Sequence, residues 1–285
     1  ELGSKRKSVC TGMWGMAVIV KKITMPKMDK KLLAEQIRYE AEQYIPFDIN
    51  NVSLSHHVLA STVTGETQDI LLIAAQNELV SQYFQVVSMA NLECKILDVS
   101  GFALANCFEV NYGRFPGETI GLLNFGAAVT NFVVISNGDI IFSRDIPVGG
   151  QNYTNEISKG MGVSIQEAEM LKLSAVSRQE VPDDVVSLIS VTNETIAEEI
   201  RNSFDFLSAT TNGLAINRCM ITGGSAGTTG LMDAVSRVTN LSYENFNPFL
   251  RIKVNAKRVP PEYMSQIAPL ASVAMGLGMR QVGDS

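Results

Sequence analysis

Apolar and polar positions follow two periods along this chain, and the switches between them mark its elements. From Ser8 to Ile23, SVCTGMWGMAVIVKKI holds two short apolar runs around Gly-Met-Trp-Gly and closes at Pro26, predicting two strands paired about a tight turn. Asp29 then caps a helix in which Leu32, Leu33, Gln36, Ile37, Glu40 and Tyr44 recur at the 3.6-residue period, and Pro46 stops it. NNVSLSHHVLA and QDILLIAAQ alternate on either side of Thr64-Gly65-Glu66, a hairpin pattern. Asn77 opens a further helix to about Asn91, Lys95-Ile96-Leu97 reads as a strand, and Phe102 to Tyr112 as a helix.

Gly113 and Pro116-Gly117 make the strongest break, and the pattern restarts behind them. Glu118–Phe125, Val129–Ser136 and Asp139–Asp145 are expected as consecutive strands, turning at Gly126-Ala127-Ala128 and at Asn137-Gly138, the second a hairpin dipeptide. Helices are expected from Gly150 to Lys159, from Ser164, and from beyond Asp184 to Thr211. Asn217–Thr222 reads as a buried strand ending in Gly223-Gly224, with helices from Thr229 and over Tyr263–Met279. The fold class expected is α/β.

With 285 residues the chain is long enough for two lobes. A net charge of −6 argues against binding nucleic acid, which needs a clustered basic surface; Lys5-Arg6-Lys7 reads as a solvated turn. The four cysteines lack a CxxC pair and suit reduced, buried thiols. His56 and His57 are adjacent on a strand, point to opposite faces, and cannot share a metal, so no metal site from protein side chains is expected. No apolar run is long enough to cross a bilayer, so a membrane link is expected only through a partner. Glu1 is not an initiator methionine, which suggests that a beginning is missing.

Three stretches carry candidate chemistry. The turn Asn124-Phe125-Gly126-Ala127-Ala128-Val129-Thr130 can present backbone N–H groups to a phosphate, or need its glycine only as a hairpin. Gly223-Gly224-Ser225 follows an apolar strand and precedes a helix, a place for an anion or a nucleotide ring, but lacks the Gly-Lys-Ser/Thr ending of a P-loop. Glu169 and Lys172 share one helix face, where they can hold ribose hydroxyls or form a plain ion pair.

The order of these pieces, with Gly149-Gly150 between them, resembles the second half of the actin, sugar kinase and Hsp70 superfamily. Within it, Ala34–Asp48 (AEQIRYEAEQYIPFD), Asn131-Phe132, Phe142–Gly150 (FSRDIPVGG), Gly162–Lys172 (GVSIQEAEMLK) and Asn247-Pro248-Phe249 are similar to the PilM family of type IV pilus assembly proteins, over about Lys21 to Met279. The resemblance implies a two-lobed actin-like ATPase fold with a small α/β insert in lobe one, as in the cell-division protein FtsA. Residues 1–28 and 99–117 would form the lobe-one core with a C-terminal helix, 262–280; 29–98 the insert; and 118–261 lobe two.

The resemblance implies a scaffold at the cytoplasmic face of a bacterial inner membrane. Its partners would be the N-terminal cytoplasmic peptide of PilN and other pilus platform or motor proteins, with self-association as in actin relatives. Gln36, Glu40, Gln43, Tyr44, Ile45, Pro46 and Phe47 would form the peptide groove or the seam behind it. ATP with Mg²⁺ would be held by Asn124, Gly126, Ala127, Thr130, Gly149, Gly150, Glu169, Lys172, Gly223, Gly224 and Ser225. Two departures from the family pattern bear on this. No Asp-x-Gly-x-x-Ser/Thr hairpin precedes Cys10, which puts tight ATP binding in doubt, and Asn124 replaces the usual Mg²⁺-organising aspartate, so little or no hydrolysis is expected. The alternatives are a kinase of the same superfamily, with Asp145 as its base, and a GspL-like secretion component, which usually continues into a membrane helix where this chain stops at Ser285.

Overall fold

The computed structural model describes residues 5–59, 65–254 and 259–284; the expected turn position Thr64 lies outside them. The chain forms two compact units, one of Glu1–Gly117, Val133–Arg144 and Val273–Ser285, the other of Glu118–Phe132 and Asp145–Ser272.

In the first unit, β1 (Ser8–Met13) and β2 (Val18–Pro26) do not pair with each other as the turn between them suggests. β1 runs parallel to β5 (Glu93–Val99), and β2 lies antiparallel to β4 (Thr67–Gln76), which also pairs with β3 (Val52–Val58). The reason is burial. Ile23 and Met25 of β2 complete one apolar cluster with Ile37, Ile70 and Leu72, whereas Met13 of β1 packs with Ala75 and Val99 in another, which β2 touches through Val18 at its start. Two cores thus outweigh one local hairpin.

α1 (Lys30–Glu42) starts on Asp29, whose carboxylate accepts the N–H groups of Lys31 and Leu32 at 3.0 and 2.9 Å. Its buried stripe is Leu33, Ile37 and Ala41, continued by Ile45, and it covers the sheet β2-β4-β3. Of the residues expected at the helical period, Leu32 is exposed because it lies one position off the Leu33-Ile37-Ala41 stripe, and Tyr44 because the helix ends at Glu42, before it.

α2 (Asn77–Met89) follows β4 directly. Its N-cap position is Gln76, which makes no side-chain cap; the Asn77 amide oxygen instead accepts from Ser53 at 2.8 Å. α3 (Ser100–Tyr112) is buried on most sides, and Gly276 lets the end of α8 (Pro261–Met279) come against the backbone of Ala103. Next to it Arg280 Nε lies 3.1 Å from Asp98 Oδ2, a buried ion pair without hydrogen-bond alignment. Burial raises the Asp98 carboxyl above its usual range, against the opposing pull of Arg280 and of the Val99 N–H.

A five-stranded sheet has the order β10-β9-β6-β7-β8: β6 (Thr119–Phe125), β7 (Thr130–Ser136), β8 (Asp139–Ile146), β9 (Arg218–Thr222) and β10 (Tyr243–Asn245). Asn137 and Gly138 both have positive φ, 54 and 88°, as the tight hairpin requires. β10, with only three residues, gives no periodic signal in the sequence. The helices are α4 (Gly150–Met161), α5 (Ile165–Val176), α6 (Asp183–Thr210) and α7 (Leu231–Thr239). α5 begins with a reciprocal cap between Ser164 and Glu167, and α4 ends on Gly162 at φ 68°. The cysteines are free thiols; burial pushes Cys107 and Cys219 to about 12.

Replacing Arg280 by Met should destabilise the protein by about 2–4 kcal/mol at neutral pH, because a buried carboxylate loses its countercharge. The raised carboxyl is easier to protonate, so the deficit should shrink as pH falls from neutral towards the carboxylate range. Urea unfolding of both proteins across that range checks the magnitude and the trend.

Candidate functional site

Within the second unit, the glycine-rich pieces that lie far apart in the sequence converge on the start of α4. The Gly126 and Ala127 carbonyls accept the N–H groups of Gly150 (2.9 Å) and Gln151 (2.8 Å), so the tip of the β6–β7 hairpin caps this helix. The Gly149 N–H donates to Asn152 Oδ1 at 2.8 Å. Ser225 Oγ donates to the Gly126 carbonyl at 3.1 Å, and its N–H to that of Phe125 at 3.0 Å. The glycines are required by this approach: a Cβ on Gly149 would lie 2.6 Å from the Ala127 oxygen, and one on Gly150 2.5 Å from Ser225 Oγ. Gly223, at φ 103°, presses on the Phe125 backbone and donates to the Pro269 carbonyl at 2.8 Å, while Gly224 is exposed, with room for a Cβ limited by Leu270 at 2.8 Å.

Lys172 on α5 enters the same cluster. Its Nζ donates to the Gly150 carbonyl (3.4 Å), Thr154 Oγ1 (3.1 Å) and Glu169 Oε2 (2.7 Å), which uses all three ammonium protons. Thr154 in turn donates to the same Glu169 oxygen at 2.5 Å. Burial works to raise the Glu169 carboxyl, but the hydrogen bonds from Lys172 and Thr154 and the Lys172 charge outweigh it, and the group sits below its usual range. Lys172 is therefore a brace between α4 and α5. Thr154 escaped the sequence reading; its signal is its place four residues after Gly150, one turn along the helix.

Thr130, fully buried, donates to the Val148 carbonyl at 2.8 Å. Asn124 donates to Asn131 Oδ1 (2.7 Å), and Asn131 to Asp145 Oδ1 (2.6 Å), a polar chain across β6, β7 and β8. Asp145, the base candidate of the kinase alternative, is thus held by an amide. The groups still open to a ligand are few. The N–H groups of Ala127 and Ala128 take no partner among the described residues, nor does Glu169 Oε1. No cluster of His, Cys, Asp and Glu suited to a metal ion occurs among the described residues.

In the first unit the expected groove residues divide. Ile45 belongs to the core, Glu40 is half-buried, and Gln36, Gln43, Tyr44 and Pro46 are exposed, with Lys21 Nζ 5.8 Å over the Tyr44 ring. Phe47 alone of them lines a cavity of about 430 Å³, together with Asp48, Asn51, Gln76, Asn77 and Glu78. The start of α2 was absent from the sequence reading of this groove, and no local pattern announces it.

Lys172→Met should cost about 1–2 kcal/mol, discounted for the exposure of Glu169, and should return the Glu169 carboxyl towards its ordinary value. Because the folded carboxyl is depressed, the wild-type advantage should be full above the ordinary carboxylate range and vanish as pH falls below it. Denaturation curves at pH near 7 and near 3 test the sign.

The chain is similar to a chain of a PilM–PilN type IV pilus biogenesis complex, 26% identical at a TM-score of 0.87, covering 99% of this chain and 81% of that one. It is 31% identical over 107 residues to the cell division protein FtsA of Bacillus subtilis (strain 168), 35% of this chain and 22% of that protein. A weaker structural likeness, TM-score 0.49 at 20% identity over 68% of this chain and 58% of the other, is to the ethanolamine utilization protein EutJ from Carboxydothermus hydrogenoformans. The chain thus spans less than two thirds of the FtsA and EutJ relatives. The family model for the type IV pilus assembly protein PilM matches residues 1–282, and the chain belongs to that family.

Proposed function

We propose that this protein is a scaffold of the type IV pilus inner-membrane platform, which takes the N-terminal cytoplasmic tail of a PilN partner into the slot beside Phe47. The observation that carries this reading is the whole-chain likeness to a chain of a PilM–PilN complex. Local chemistry supports it. Phe47 supplies an apolar wall, Asn51 and Gln76 supply amides that can pair with an extended backbone, and Asp48 and Glu78 give the rim a negative charge. Such a rim suits the basic residues that flank membrane segments on the cytoplasmic side. No helix among the described residues is long and apolar enough to cross a membrane.

The same reading gives the hairpin cluster a nucleotide. ATP would meet the Ala127 and Ala128 N–H groups with its phosphates and Glu169 Oε1 with its ribose, and a bound Mg²⁺ would supply charge neutralisation from the phosphate side. Asn124 offers no carboxylate and is turned to Asn131, so hydrolysis is slow or absent.

Calorimetric titration with a synthetic PilN tail should show binding that Phe47→Ala weakens by roughly tenfold or more, the loss of an aromatic contact in a pocket. Glu78→Lys should weaken it most at low salt. Unaltered affinity in Phe47→Ala would remove the slot, and a wild-type protein that ignores the tail would remove the reading. For the nucleotide, steady-state phosphate release should stay below ~1 s⁻¹, and faster turnover would sink the scaffold assignment.

A further inference from the structure

Asp29 is the acidic group at the start of α1; the first turn itself has none and opens with Lys30 and Lys31. Lys27 precedes it, and all three lysines are exposed. None forms an ion pair among the described residues, neither with Asp29 nor with Glu35 one turn on. Asp29 lies among them, but its carboxylate is committed to the Lys31 and Leu32 amides. Leu32 is 43% exposed beside them, and Met28 is only partly buried against the core.

We propose that Lys27, Lys30 and Lys31, with Leu32 as an apolar contact, form a docking surface for the anionic phospholipid face of a membrane. Charge complementarity argues for the occupant: three exposed ammonium groups around the single carboxylate of Asp29 leave a net positive patch in a chain of net charge −6, a local exception that attracts a negative surface. The form of the patch favours lipid over an acidic protein segment. Lysines act as point charges that suit a diffuse layer of phosphates, with no bidentate fork to fix a single carboxylate. An exposed leucine next to them can enter the interfacial layer.

Purified protein without any partner should co-sediment with vesicles of phosphatidylcholine and phosphatidylglycerol, but not with phosphatidylcholine alone, and should be released by salt. The variant Lys27→Glu/Lys30→Glu/Lys31→Glu should lose binding by about tenfold or more. Acidic residues suit a helix N-terminus, so its thermal midpoint should hold or rise, which separates lost docking from lost folding. Leu32→Ala should weaken binding with the salt response retained. Equal sedimentation of wild type and the triple variant would overturn the proposal, as would wild type binding a polyglutamate peptide and not vesicles. Tail binding at the Phe47 slot, read separately, does not depend on either outcome.

Discussion

A helix start must give its unpaired N–H groups to something, and here α4 gives them to the carbonyls of Gly126 and Ala127. That one contact requires glycine at 149, draws Ser225 onto the Gly126 carbonyl and so against Gly150, and leaves the Gly150 carbonyl and Thr154 to receive Lys172. Strand, hairpin, helix start and the loop after β9 are thereby fixed to one another by backbone groups. Side chains serve as braces. An anion reaching this cluster meets the outer amides of the hairpin tip, because the helix start itself is already satisfied.

The first unit solves a different problem. A small three-stranded sheet and one helix have to bury enough apolar surface, and they do so with Leu33, Ile37, Ala41 and Ile45 on one side and Ile23, Ile70 and Leu72 on the other. Once that stripe is committed, Phe47 follows at the chain's exit from the helix, only partly covered. The start of α2 comes to the same cavity because β4 leads directly into it. The slot is thus a by-product of two element ends meeting, with polar groups from both.

Much of this was legible in the sequence where the signal is local. The Asn137-Gly138 turn, the helix start at Ser164 and the α1 start on Asp29 are set by backbone dihedrals and short-range hydrogen bonds, so residue identity reveals them. Pairing partners were less legible. β1 and β2 read as a hairpin, and only the division of Met13 and Ile23 between two cores shows why they part. The glycine pieces could be ordered along the chain, but their use could not be read. Whether Gly149 faces a phosphate or a carbonyl depends on a hairpin more than 20 residues upstream. Likewise the partners of Lys172 and the cavity wall from Gln76 to Glu78 arise from non-local contacts that no spacing encodes.

The central claim is that a foreign extended tail occupies the slot where the exit of α1 meets the start of α2. Hydrogen–deuterium exchange with and without a synthetic PilN N-terminal peptide tests it directly, since a bound strand slows exchange of the amides it covers. The account predicts slowed exchange confined chiefly to Phe47–Asn51 and Gln76–Glu78. Slowing restricted to the second unit, or none anywhere at saturating peptide, would contradict it.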